Sequence, residues 1–149
     1  MNLIRLVSMK KKIKLHRTIK FRAKEFEDRF YSDISPARWL YGYLCVVECG
    51  LIAIQKENGG EKIVRPESIG QFTGLHDKNG IEIYENDVIK VDCFLGDPSY
   101  IVKWDVIGAR FVLVSTESGG YLTPRDFNFE YVEVIGNTTD KPELLTNKN

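Results

Sequence analysis

Ile69-Gly70-Gln71-Phe72-Thr73-Gly74-Leu75-His76-Asp77-Lys78-Asn79-Gly80-Ile81-Glu82-Ile83-Tyr84-Glu85-Asn86-Asp87-Val88-Ile89-Lys90-Val91 is the stretch whose reading decides the fold. Its centre, Asp77-Lys78-Asn79-Gly80, is the strongest local signal in the chain. Asn-Gly tolerates the positive φ values of a type I′ turn, whose twist matches two paired strands. Ile81, Ile83 and Tyr84 then lead to Val88–Val91, a second strand. Thr73, Gly74 and Asp77 read as turn formers. Glu85 and Asp87 read as acids that fix a strand start by accepting backbone N–H groups.

Outward from this block the same grammar repeats. Downstream, Gly96-Asp97-Pro98 marks a loop, and Tyr100–Trp104 pairs with Arg110–Val114 through a turn near Gly108. Ser115–Gly120 is a second loop, Phe127–Ile135 a last strand, and Asp140–Leu145 a short helix capped by Asp140 with Pro142 in its first turn. Upstream, Ile13 to Arg22 alternates apolar and polar residues, the period of a half-buried strand with a basic outer face. Lys24–Ser35 reads as a turn or a short helix. Tyr41–Glu48 and Leu51–Gln55 read as strands, followed by a turn at Asn58-Gly59-Gly60. Short strands between regular turn signals, without a long amphipathic helix, predict a mostly β antiparallel barrel or sandwich.

The chain has 149 residues, 43% hydrophobic and 28% charged, with seven Tyr, eight Phe and two Trp. That is globular usage, with rings enough for a core. Its 21 basic and 21 acidic residues cancel, but unevenly. Residues 1–24 carry nine cations and no acid, which leaves residues 25–149 with 12 basic and 21 acidic residues. A basic arm on an acidic body suits contact with a neighbouring subunit or with nucleic acid. Three cysteines without framework spacing exclude a disulfide-stapled secreted protein. No apolar run is long enough to span a bilayer, and the N-terminal apolar residues are cut off by Lys10–Lys12, so cytoplasm is the expectation.

Ile19–Ala23, Trp39–Leu44, the whole of Ile69–Val91, Glu133–Asn137 with its Gly136-Asn137, and Pro142–Leu145 together resemble the YopX family of phage, prophage and mobile-element proteins. Asn86 departs from the pattern, since the family usually has glycine there; Asn is the usual substitute where a positive φ is required. The resemblance implies a mostly β fold with an SH3-like barrel element, a small N-terminal β or irregular subdomain, and self-assembly. It implies no reaction. The expected division is a basic extension at 1–12, a domain at 13–145 divisible near residue 68, and a disordered tail at 146–149. The motif residues Thr73, Gly74, Asp77, Asn79, Gly80, Tyr84, Glu85, Asp87, Gly136 and Asn137 read as structural.

Candidate chemistry is sparse. Glu85 and Asp87, with Asp77 nearby, are the residue types for acid–base work or a divalent cation, although turn fixing is the plainer role. Cys45, Cys49, Cys93 and His76 are zinc-ligand types at poor spacing, and neither His16 nor His76 has a nucleophile partner at a recognised spacing. Lys10, Lys11, Lys12, Lys14, Arg17, Lys20 and Arg22 form the candidate contact for nucleic-acid phosphates or a partner. Phe21, Trp39 and Tyr41 are candidate stacking rings. The expected function is non-enzymatic: a homo-oligomeric accessory protein needing no cofactor, metal, membrane or small-molecule substrate. The alternatives are a nucleic-acid-binding module using residues 10–24 and a ribonuclease of the SH3-barrel toxin type depending on Asp87 or Arg110.

Overall fold

A computed structural model describes residues 17–27, 37–93 and 96–145. The expected basic extension, the first part of the 13–22 strand and the C-terminal tail lie outside them. The described residues form eleven strands: β1 (Phe21–Lys24), β2 (Trp39–Val46), β3 (Ile52–Gln55), β4 (Glu61–Ile63), β5 (Gly70–His76), β6 (Glu82–Tyr84), β7 (Asp87–Val91), β8 (Ser99–Asp105), β9 (Arg110–Ser115), β10 (Tyr121–Leu122) and β11 (Val132–Asn137). They build two antiparallel sheets, β4-β3-β2-β1-β5-β6 and β10-β9-β8-β7-β11. Both sheets are open. Among the described residues no closed barrel is found, so the SH3-like detail of the expectation does not appear in their strand pairing.

Each sheet has its own apolar centre. Ala23, Leu40, Ile54 and Val64 bury one face of the first, with Phe21, Leu44 and Ile69 against them. Ile89, Val91, Val102, Leu113 and Val132 form the second, and Ile83 of β6 joins them. The β5–β6 hairpin therefore belongs to the first sheet by pairing and to the second core by packing. Among the described residues no helix is long and apolar enough to cross a membrane.

Several expectations need correction. Alternation from Ile13 placed Arg22 on an outer basic face. In β1 it is instead only 8% exposed, because an internal carboxylate partners it. The Asp77–Gly80 turn is not type I′. Only Gly80 has positive φ (78°), while the Asp77 carboxylate accepts the N–H groups of Asn79 (2.8 Å) and Ile81 (3.0 Å). A side chain so bonded favours a type I turn followed by a left-handed glycine, the three-residue hairpin form. The turn near Gly108 uses Ala109 (φ 48°), not the glycine, as its left-handed residue.

Ile81–Val91 is two strands rather than one, divided at Glu85-Asn86. The last strand begins only at Val132, because Asn128 accepts the Glu130 N–H and turns Phe129–Tyr131 into a 3-10 segment. The closing helix is a single 3-10 turn, Pro142–Leu145. The Asp140 carboxylate, expected as its cap, is drawn instead to Lys24, Trp39 and Asn137. Strands β4 and β10 have no sequence signal, since every residue in them is exposed.

Candidate functional site

The motif residues converge on the joint between the sheets. β6 ends in the first sheet at Tyr84 and β7 starts in the second at Asp87, so two residues carry the chain across. Asn86 makes the bend with φ 69°, the left-handed conformation its departure from glycine had to preserve. Its N–H donates to the Val102 carbonyl at 2.8 Å and its carbonyl accepts the Thr138 N–H at 2.9 Å. Its side-chain oxygen accepts Lys103 Nζ at 2.8 Å. Gly70 is required where the strands close up, since a Cβ there would lie 2.5 Å from the Glu85 carbonyl oxygen. Thr73 and Gly74 sit where the β5–β6 register shifts. Thr73 Oγ1 donates to the Ile83 carbonyl at 2.8 Å and accepts the Leu75 N–H at 3.1 Å, while Gly74 takes φ 89°.

Asp87, 1% exposed, is the acid at the centre. One oxygen accepts the Tyr84 N–H at 2.8 Å and the other accepts Arg22 of β1 at 2.5 Å. Burial pushes its carboxyl up, against the pull of Arg22 and of the Tyr84 N–H. The Arg22 guanidinium also lies 4.8 Å from the Trp39 ring and 4.9 Å from that of Tyr84, a cation over two aromatic faces. Burial and the Glu82 carboxylate, which accepts its hydroxyl at 2.7 Å, raise the Tyr84 phenol above its ordinary value.

Two further carboxylates clamp the same joint. Asp77, on the β5–β6 turn, reaches the Val134 N–H of β11 at 3.0 Å; burial opposes its ionisation, but its three backbone bonds win and lower its pKa. Asp140 accepts Trp39 Nε1 at 2.8 Å and Asn137 Nδ2 at 2.9 Å and pairs with Lys24. Burial would raise it, yet those partners bring it down to about 2. Asn137 holds this turn, accepting the N–H groups of Thr139 (3.1 Å) and Asp140 (2.8 Å). Gly136 lies at the register shift of β11.

The chemistry in this arrangement is adhesion between sheets. Asp87 and Asp77 both spend their oxygens on backbone and arginine donors, and Glu85 contributes its backbone: its carbonyl accepts Arg22 at 3.4 Å and its N–H donates to Gln71. Asp87 and Arg110 are not brought together. Arg110 is at the β8–β9 tip, paired with Asp105 at 3.5 Å. Among the described residues no three His, Cys, Asp or Glu side chains group around a metal position. Cys45 and Cys93 are free thiols facing separate carbonyls, and the His76 ring rests on Phe72.

Of the basic candidates, Lys10, Lys11, Lys12 and Lys14 lie outside the described residues. Arg17 is exposed, Lys20 is paired with Glu82 and Arg22 is internal. Among the described residues two exposed surfaces stand out. One is on β2, where Tyr41 and Tyr43 are each 50% exposed. The other is the β8–β9 tip, where Val106 and Ile107 stand 81% and 99% exposed. A 550 Å³ groove beside that tip is lined by Trp104, Ile107, Val112 and Tyr121. Neither Tyr43 nor the tip was read from the sequence. Alternation along β2 could have marked Tyr43; nothing local marks a bare isoleucine.

The arrangement defines a small protein of two open antiparallel sheets whose sequence motif is the joint between them. Three features of that joint, the bulge at Thr73-Gly74, the left-handed Asn86 and the internal Asp87, fall within the segment that the family comparison covers. The chain belongs to the YopX family, which matches residues 20–146. A crystal structure of protein EF1440 from Enterococcus faecalis is similar in fold, with a TM-score of 0.51 at 21% identity over 87% of this chain and 99% of that one. Comparison with curated proteins gives no match.

Proposed function

We propose that this is a non-enzymatic accessory protein of a phage, prophage or mobile element, acting in the cytoplasm by assembling with copies of itself. The observation that carries the reading is the β8–β9 tip. Trp104, Val106, Ile107 and Tyr121 are 38%, 81%, 99% and 61% exposed, a concentration of large apolar side chains in water of the kind that marks an interaction surface. Knob and groove lie on one patch, as a twofold contact requires. Asp105 and Arg110 beside it supply both signs of charge, so that a second copy meets complementary groups.

The split between a basic segment and an acidic remainder favours the same partner. The non-enzymatic part rests on the joint, whose carboxylates are committed to structural donors. Sedimentation velocity at low and high salt tests assembly. The expected result is an oligomer that Ile107→Asp shifts toward monomer, at a residue exposed enough to leave the fold intact. A strict monomer at both salt concentrations refutes the proposal.

A further inference from the structure

We propose that the exposed stretch of β2 carrying Tyr41 and Tyr43 is a platform for single-stranded nucleic acid, with bases stacking on those two rings and phosphates held by Arg17 and Lys56. Residues two apart on a strand share a face, about 7 Å from each other, which gives each ring room for one base. Trp39 continues the row inward but is occupied, covered by Arg22 and Lys24 and bonded to Asp140. Tyr41 is anchored edge-on against Tyr84 at 5.7 Å, so its orientation is fixed before any ligand arrives. Tyr43 has no ring partner among the described residues, and half of it faces water.

Two hollows flank this row and share Tyr43. One, of 540 Å³, runs past Lys20, Tyr41 and Lys56. The other, of 360 Å³, is bounded by Arg17 and Ile19. They make one track along the strand. Lys20 is neutralised by Glu82, and among the described residues Glu57 is the one carboxylate lining either hollow, so the cations left open are Arg17 and Lys56. Arg17 and Lys56 have no ion-pair partner among the described residues. The acid-free segment of residues 1–24 reaches the fold at Arg17 and Lys20, beside this track. Aromatic rings bordered by cations are the combination that binds single strands with little sequence preference. A duplex, whose bases are already stacked, offers these rings nothing. This platform differs from a purely basic arm, because it makes Tyr43 as necessary as the cations.

The test is fluorescence anisotropy of the full chain with labelled twenty-nucleotide oligothymidylate and oligouridylate, and with a duplex of equal length, at low salt. Binding to the single strands above the duplex is expected, and comparison of the two oligomers shows whether DNA or RNA is preferred. Tyr43→Ala should weaken binding about ten-fold or more, the worth of one stacked base. Tyr43→Phe, which keeps the ring, should leave it unchanged. Lys56→Gln should weaken it and flatten its salt dependence. Circular dichroism confirms that each variant is folded. No binding at low salt, duplex preference, or a neutral Tyr43→Ala beside loss of binding on changing Lys10, Lys11 and Lys12 together to Gln, would each overturn the proposal.

Discussion

Arg22→Met is the substitution that most directly probes how the two sheets are held together. Arg22 is 8% exposed and its partner Asp87 1%, so the pair stands almost wholly out of water. Removing the cation leaves a buried carboxylate with the Tyr84 N–H as its remaining donor among the described residues. Breaking a buried pair from one side costs about 3–5 kcal/mol, with the contacts to the Trp39 and Tyr84 rings lost as well. At roughly 2–4 °C per kcal/mol for a chain of this size, the melting temperature should fall by roughly 6–20 °C.

Asp87→Asn keeps an acceptor for the Tyr84 N–H while removing the charge, so it should be similarly harmful by stranding Arg22. The double variant should be less destabilised than the sum of the two, by about 2 kcal/mol in a double-mutant cycle from urea unfolding. The pH dependence has a definite sign. Burial pushes Asp87 up, and without Arg22 the main opposing pull is gone. A carboxyl whose folded pKa exceeds its unfolded one gains stability as pH falls. The deficit of Arg22→Met should therefore shrink on moving down from pH 7. Single-variant costs below about 1 kcal/mol, or additivity within about 0.5 kcal/mol, would refute the view that this pair couples the sheets.

Acid should loosen the Asp140 clamp: its folded pKa of about 2 lies below that of an ordinary aspartate, so its contribution is present above the unfolded pKa and lost as pH falls through the folded one. Asp140→Asn should remove roughly 1 kcal/mol at neutral pH after allowance for its partial exposure, and acid titration of the variant should show a smaller loss between about pH 4 and 2. Gly42→Ala should destabilise by about 3 kcal/mol in urea unfolding, because its Cβ would sit 2.0 Å from the Gln55 backbone oxygen of the paired strand. Ala109→Gly should raise the unfolding free energy by roughly 0.5–1 kcal/mol, since Ala109 holds φ 48° where a side chain is strained.

Much of the architecture was written locally. β2, β3, β8 and β9 were legible from strand-forming and turn residues, as was the place of the Asp77–Gly80 turn in the Ile69–Val91 block that carried the family. Asn86 was legible as a left-handed substitute for glycine because that requirement belongs to one residue's own sterics. What failed was decided by partners distant in sequence. Period two showed that Arg22 lies on one face of a strand; it held no information that Asp87, 65 positions on, would bury it. Asp140 looked like a helix cap until Lys24 and Trp39 claimed it. Asn79-Gly80 is the local exception: the Asp77 side chain, two residues away, set a turn other than the type I′ form expected.

For the candidate sites the division is the same. The sequence by itself determined a β-rich chain, its family and the residues of its joint, because turns and strand periodicity are short-range physics. Only the tertiary structure decided that β6 and β7 go to different sheets, and that Tyr41, Tyr43 and Ile107 stay in water. Exposure is a property of what packs against a residue, and residues far along the chain supply it.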